Sequence, residues 1–235
     1  MQDRSQLPYE YRFFFDAPHS PVWNDLHDPG LGHGIHSASS IANIVGYGYN
    51  SRFVYYLLCT GQRQKEDMSE NIAVQHGEQN EPNARNDFIR KFPHIYFCNP
   101  GFLLHPEYPF IAATSDGFGW DSKKEMPVSI EFKCPFISGN VQSTRDIKEN
   151  YLIQVTVQMA CTGFRLAYLH YWFEEEESVT FEIPFCEKVW DCILKAVQEF
   201  RKEVELKRED YPRRMKKDPV LAMHLHNLVK KIKQL

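Results

Sequence analysis

The chain has 235 residues, 43% of them hydrophobic and 14% aromatic, so it can bury one sizeable core, and its length favours one domain with an appendage. No apolar run approaches the roughly 18 residues of a membrane span, and Met1-Gln2-Asp3-Arg4 lacks the basic-then-apolar layout of a secretory signal; the sequence reads as soluble and intracellular, in cytoplasm or nucleus. A net charge of −4 speaks mildly against a polyanionic partner, yet from Arg201 to Leu235 eleven Lys or Arg stand against five Asp or Glu.

Residues 1–30 hold Phe13-Phe14-Phe15, Trp23 and four prolines without periodicity, the pattern of an irregular arm that packs through its aromatics. Gly34 to Ser40 leads into Ile41, Ala42, Ile44 and Val45 at helical spacing, with a Ser as the natural N-cap. His33 and His36 nearby have a ligand-like spacing, but no third ligand accompanies them. A second amphipathic helix is predicted from Asn50 to Gly61 with Phe53, Val54, Leu57 and Leu58 as its core face. A third is predicted over 69–92, where Glu81, Ala84, Arg85 and Phe88 share one face. A Glu on the buried side of a helix is costly unless paired or bound to a metal, which singles out Glu81 over Glu78.

After Pro93 the pattern turns to strands at 95–98, 102–104, 110–114 and 128–133. Helix returns over 145–162, where Tyr151, Gln154, Val155, Gln158 and Met159 recur every three or four residues. Strands at 166–173 and 179–185 flank the acidic run Glu174 to Glu177, read as a solvated loop. A long helix from Trp190 to Leu206 closes the core. Beyond it the basic Arg213-Arg214-Met215-Lys216-Lys217 is either a solvated linker or a phosphate-tracking surface, and an amphipathic stretch runs over 220–235. This order predicts an α/β (α+β) layer with a mixed central sheet flanked by helices. The six cysteines show no Cys-x-x-Cys spacing, so neither a zinc site nor a disulfide framework is signalled.

The chemistry concentrates in residues 110–136. An apolar run ends in Asp116-Gly117, and a later strand carries Glu131 and Lys133 on one face and Val128, Ile130, Phe132 and Cys134 on the other. If the two runs form a hairpin, three charged groups meet at one end of it. Asp-Gly is also a common turn and Glu-x-Lys a common solvated pair. The alternative is a hydrolytic metal site, with carboxylates for a hard cation and an ammonium for the attacking water or developing charge.

Four strings in order carry a resemblance: Gly77-Glu78-Gln79-Asn80-Glu81-Pro82-Asn83-Ala84-Arg85, Thr114-Ser115-Asp116-Gly117, Ile130-Glu131-Phe132-Lys133-Cys134-Pro135, and Tyr151 through Met159. Over about residues 34–185 the chain resembles the lambda-type phage exonucleases, the YqaJ-like viral recombinase nucleases of the PD-(D/E)xK superfamily. The resemblance implies a restriction-endonuclease-like core and a 5′-3′ double-strand DNA exonuclease for viral or phage-type recombination. It implies one or two Mg²⁺ or Mn²⁺ ions held by Asp116, Glu131, Glu81 and the Phe132 carbonyl, with Lys133 and Gln154 completing the catalytic set. Ser39 and Gln158 become candidates for touching DNA, as do Arg213, Arg214, Lys216 and Lys217. The domain boundaries that follow are an arm at 1–30, a nuclease domain at 31–207 and a basic C-terminal extension at 208–235. Linear duplex DNA is the implied substrate, and the family admits a homotrimer and a single-strand annealing protein as partner. Two basic residues that grip a 5′-phosphate in such enzymes are matched here by Gly32 and Gly139, so strict dependence on that phosphate is not expected unless Arg52 or Arg145 supplies the charge. An endonuclease or RNase on the same scaffold, and a catalytically inactive binding module, are the alternatives.

Overall fold

The computed structural model of the protein describes residues 34–98, 101–136, 146–208 and 210–235. The elements in chain order are β1 (His36–Ser37), α1 (Ala38–Ile44), α2 (Arg52–Cys59), α3 (Ile72–Lys91), β2 (Ile95–Cys98), β3 (Phe102–Leu104), β4 (Ile111–Thr114), β5 (Gly117–Asp121) and β6 (Met126–Lys133). They continue with α4 (Glu149–Thr162), β7 (Leu166–Tyr171), β8 (Val179–Pro184), α5 (Glu187–Glu205), α6 (Pro219–Val229) and β9 (Lys233–Gln234). Helix starts follow from local chemistry: Ser37, Ser51, Asn71 and Asp218 each turn a side-chain oxygen onto a free N–H of the first turn. Gly163, at φ 74, closes α4 in the left-handed conformation that a side chain would disfavour.

The strands form a mixed six-stranded sheet, β2-β5-β6-β7-β8-β9, and a three-stranded sheet, β1-β4-β3. Only β6 and β7 are parallel in the larger sheet. Parallel neighbours need a crossover, and α4 lies in theirs. One sheet face carries Val128, Ile130 and Phe132 of β6 into a small core with Ala84 and Phe88 of α3. The main core holds α1, α4, α5 and α6, the last through Leu221, Leu225 and Leu228. The mixed α/β architecture expected from the sequence is the one observed.

Two local readings change. Residues 117–121, passed over between two strands, form β5, which pairs with both β2 and β6. Its glycines are there because neighbours press on them: a Cβ on Gly117 would come within 2.2 Å of the Phe97 ring, and one on Gly119 within 2.7 Å of Ile95. The hairpin against β6 is therefore made by β5, while β4 belongs to the smaller sheet. Asp116 sits at the junction between β4 and β5.

The buried face of α2 is Arg52, Tyr55, Tyr56 and Leu58, with Phe53 and Leu57 only partly covered. Polar tips made that face hard to read, but each finds a partner: Tyr55 donates to Ser40 Oγ (3.0 Å) and Tyr56 to the Arg208 carbonyl (2.9 Å). A hydroxyl so satisfied lets the ring act as core. At the chain's end, β9 adds an edge to β8 that the amphipathic pattern did not show.

Candidate active site

Alternation along β6 sends Glu131 and Lys133 to the face opposite Phe132. That face is not solvated, because α4 covers it. Glu131 is 2% exposed, so its carboxylate must be supplied with donors. Glu131 Oε1 accepts from Lys133 Nζ and from Gln154 Nε2, both at 2.5 Å, and Oε2 accepts from Gln158 Nε2 at 2.6 Å. Helical spacing puts the two glutamines on one face of α4, four residues apart, and together they fix the plane of the carboxylate.

Asp116 is served differently. Its Oδ2 accepts the Phe132 N–H at 2.7 Å. Burial, then the Glu131 carboxylate, and to a smaller extent Glu81, push the Asp116 carboxyl well above the usual range, against the pull of Lys133 and the Phe132 N–H. For Lys133, burial alone would lower the pKa, but Glu131 and Asp116 outweigh it, so the ammonium is held above its ordinary value and stays charged. The Tyr151 ring lies 4.8 Å from Lys133 Nζ, a cation–π distance. The Cys134 thiol, at the end of the same strand, is pushed up to about 12 by burial and by Asp116 and Glu81.

Glu81, with Asp116, Glu131, Phe132, Lys133 and Tyr151, lines one open cavity of about 280 Å³. Its side chain is 40% exposed and takes a hydrogen bond from Arg85, one helical turn on, at 2.9 Å. Glu81 therefore stands at the cavity's rim, not on a buried face. Among the described residues no group of three or more His, Cys, Asp or Glu side chains is placed to hold a metal ion by itself. The donor set still fits a hard divalent cation: oxygen ligands, and a carboxylate destabilised by its neighbours that a cation would relieve.

Other expected site residues fall elsewhere. Arg52 is a correction: its guanidinium is buried and held by Glu203 (2.5 Å), Tyr211 (2.7 Å) and the Ile44 carbonyl (3.2 Å), so it ties α2 to α5 and is not free to meet phosphate. Gln158 is another; wholly buried on Glu131 and the Thr114 carbonyl, it cannot reach a nucleic-acid backbone. Ser39 is exposed on the first turn of α1, 3.2 Å from Ser37 Oγ and outside the cavity wall. His36 is buried against Tyr55, not in a ligand cluster. Arg213, Arg214 and Lys216 line a separate cavity, and Lys217 lies 4.0 Å from the Tyr47 ring. Arg145, Gly32, Gly139, His33 and the arm at 1–30 lie outside the described residues.

Sequence reasoning missed Tyr151 as a site residue and missed Tyr49, whose hydroxyl meets that of Tyr151 at 3.1 Å. The signal for Tyr151 was present: it precedes Gln154 by three residues and Gln158 by seven, on one helix face. Tyr49 lies in a loop remote in sequence and gave no such signal.

By fold, the chain is similar to the alkaline exonuclease LHK-Exo from Laribacter hongkongensis, with a TM-score of 0.61 and 23% identity over 75% of this chain and 90% of that one. The complex of LHK-Exo with dAMP gives 0.61 and 22%, over 77% and 92%. A phage-related exonuclease from Haemophilus somnus 129PT gives 0.53 and 13%, over 76% and 97%. Among curated proteins no sequence matches. The family model for the YqaJ-like viral recombinase domain covers residues 23–165, more than half of the chain, and the protein belongs to that family.

Proposed function

We propose that the chain is a divalent-metal-dependent deoxyribonuclease that hydrolyses phosphodiester bonds from the ends of linear duplex DNA, a lambda-type exonuclease. The observation that carries this reading is the shared cavity in which Asp116 is crowded by Glu131 while Lys133 Nζ lies 2.5 Å from Glu131 Oε1. The family, and the exonuclease names of two fold neighbours, support it from outside the site.

Asp116, Glu131 and Glu81, with the Phe132 carbonyl, would hold one or two Mg²⁺ or Mn²⁺ ions. A bound cation polarises a phosphate and lowers the pKa of water. Gln154 and Gln158 keep Glu131 in one orientation, so no reorganisation is needed when substrate arrives. The Lys133 ammonium, charged at any neutral pH, offsets the negative charge that grows on the phosphate and orients the attacking water. Tyr151 bounds it on one side. Such a site reads backbone and not base edges, so little sequence preference is expected.

The test uses end-labelled linear duplex, a covalently closed circle, single-stranded DNA and RNA, each with Mg²⁺ or Mn²⁺ and with chelator. Degradation of the linear duplex, dependent on the cation, with the circle spared, is the expected outcome. Equal cutting of the circle would make the protein an endonuclease, and no cutting under any condition would overturn the reading.

A further inference from the structure

A second cavity, of about 570 Å³ and larger than the catalytic one, opens between the loop after α1, the start of α2, α5 and the segment before α6. Its volume suits a group of nucleotide size. Arg213, Arg214 and Lys216 line it, all exposed, and among the described residues none of the three forms an ion pair. Two carboxylates face them, Glu199 and Asp218. Asp218 Oδ1 is occupied by the Val220 N–H at 2.8 Å, as the cap of α6. The Arg52 charge on the floor is cancelled by Glu203. Three cations against Glu199 and Asp218 leave the concave site with an excess of one positive charge, to which the N-terminus of α2 adds its partial charge.

The loop at 46–50 links this cavity to the catalytic one. Gly46 and Gly48 line the basic side. Tyr47 lies under Lys217 (4.0 Å), and Tyr49 reaches across to Tyr151 in the catalytic cavity (3.1 Å between hydroxyls). The loop is built rigidly. The Tyr47 and Gly48 N–H groups both donate to the Ala42 carbonyl at 2.8 Å, and Asn43 Oδ1 accepts the Asn50 N–H at 3.1 Å. A Cβ on Gly48 would fall 1.9 Å from that Asn43 oxygen, so the position admits only glycine while the Asn43 bond stands.

We infer that the basic cavity binds phosphate groups of the same DNA whose backbone is cut next door. This rests on the nuclease reading above. A polyanion that runs past the Tyr49–Tyr151 contact meets both cavities. Two phosphate sites held at a fixed separation hold the substrate in register. The interaction is with backbone, so it is independent of sequence and strongly dependent on salt.

The experiment is binding of a fluorescent linear duplex in chelator, by anisotropy, from about 50 to about 200 mM salt, for the unaltered chain and for the triple variant Arg213→Gln, Arg214→Gln, Lys216→Gln. Loss of three phosphate contacts reduces the slope of log affinity against log salt by about 2.7, so the fall in affinity over that range becomes about fortyfold smaller. The enzyme concentration for half-maximal cleavage rises in parallel. Lys230→Gln with Lys231→Gln, two exposed lysines after α6 and away from either cavity, leaves slope and affinity as they were. An unchanged slope and affinity in the triple variant, with cleavage by the unaltered chain intact, would overturn the inference, assigning the cavity to some other partner and leaving the nuclease reading standing. Failure of the unaltered chain to cleave any DNA is the separate signature of a wrong nuclease reading.

Discussion

Asp116, just before the five-residue strand β5, and Asp121, its last residue, have opposite surroundings. Asp121 is wholly buried and fully supplied: Oδ1 accepts the Lys123 and Lys124 N–H groups (2.9 and 3.1 Å) and Oδ2 the Tyr168 hydroxyl (2.7 Å). Asp116 accepts one N–H and faces two further carboxylates. Asp121, bonded within its own turn and to the Tyr168 hydroxyl, is part of the scaffold. Asp116, short of donors and pressed by like charge, is the carboxylate we propose as the cation ligand. Hydrogen-bond supply and the neighbouring carboxylates separate the two.

The largest expected difference is catalytic. Asp116→Asn should lower cleavage of linear duplex by more than about 10³, with DNA affinity changed only a few-fold, since phosphate contacts elsewhere carry binding. Its thermal midpoint should not fall, because the substitution removes a crowded charge. Next comes Lys133→Ala, expected to cost roughly 10² to 10³ in single-turnover rate by analogy with loss of one transition-state donor. Lys133→Arg should not restore it, as a planar fork cannot take the place of a compact ammonium. A Lys133→Ala protein cutting at the unaltered rate would make Lys133 a mere partner of Glu131.

Acid sharpens the contrast by another route. His36 and His170 are buried, and burial lowers each to about 4, with Arg201 acting the same way on His36 and Asp87 opposing at His170. Unfolded, each titrates near 6.5. Between about pH 6.5 and about 4 the unfolded chain therefore binds the extra protons, and stability falls with acidification, by about 3 kcal/mol for each histidine when complete. Asp116 acts in the opposite sense, because its raised carboxyl takes a proton in the folded state first. Urea unfolding across this range should show the loss, His170→Gln should flatten it, and Asp116→Asn should steepen it.

The smallest effect belongs to the saturated aspartate. Asp121→Ala strands the buried Tyr168 hydroxyl, at a cost of about 2 kcal/mol, or a fall in thermal midpoint of about 4–8 °C for a chain of this size. Cleavage per folded molecule should stay within a few-fold. A large catalytic loss without a stability loss would erase the distinction drawn between the two ends of β5.

Alternation places Glu131 and Lys133 together and helical spacing joins Gln154 to Gln158 and Glu81 to Arg85, but it is the resemblance carried by the four strings that gathers these residues with Asp116 into one candidate site. What alternation could not show is what covers a face. A Glu-x-Lys pair reads as solvated until α4 is laid over it. Arg52 failed for the matching reason, since a charged residue at a helix start looks exposed until Glu203, 151 positions on, is brought against it. In β5 glycine and aspartate read as turn, and only the pressure of Phe97 and Ile95 accounts for them as strand. Tyr49 and the basic cavity depend on contacts between distant segments, to which local periodicity is blind.

Asp116 is expected to be a cation ligand, and Asp121 is expected not to be one. Calorimetric titration of Mn²⁺ into the metal-free protein without DNA tests it directly, for the unaltered chain, Asp116→Asn and Asp121→Ala. The account predicts saturable binding that Asp116→Asn weakens by at least about tenfold, worth about 1.4 kcal/mol, and that Asp121→Ala retains. Equal Mn²⁺ affinity in the unaltered chain and in Asp116→Asn would contradict it.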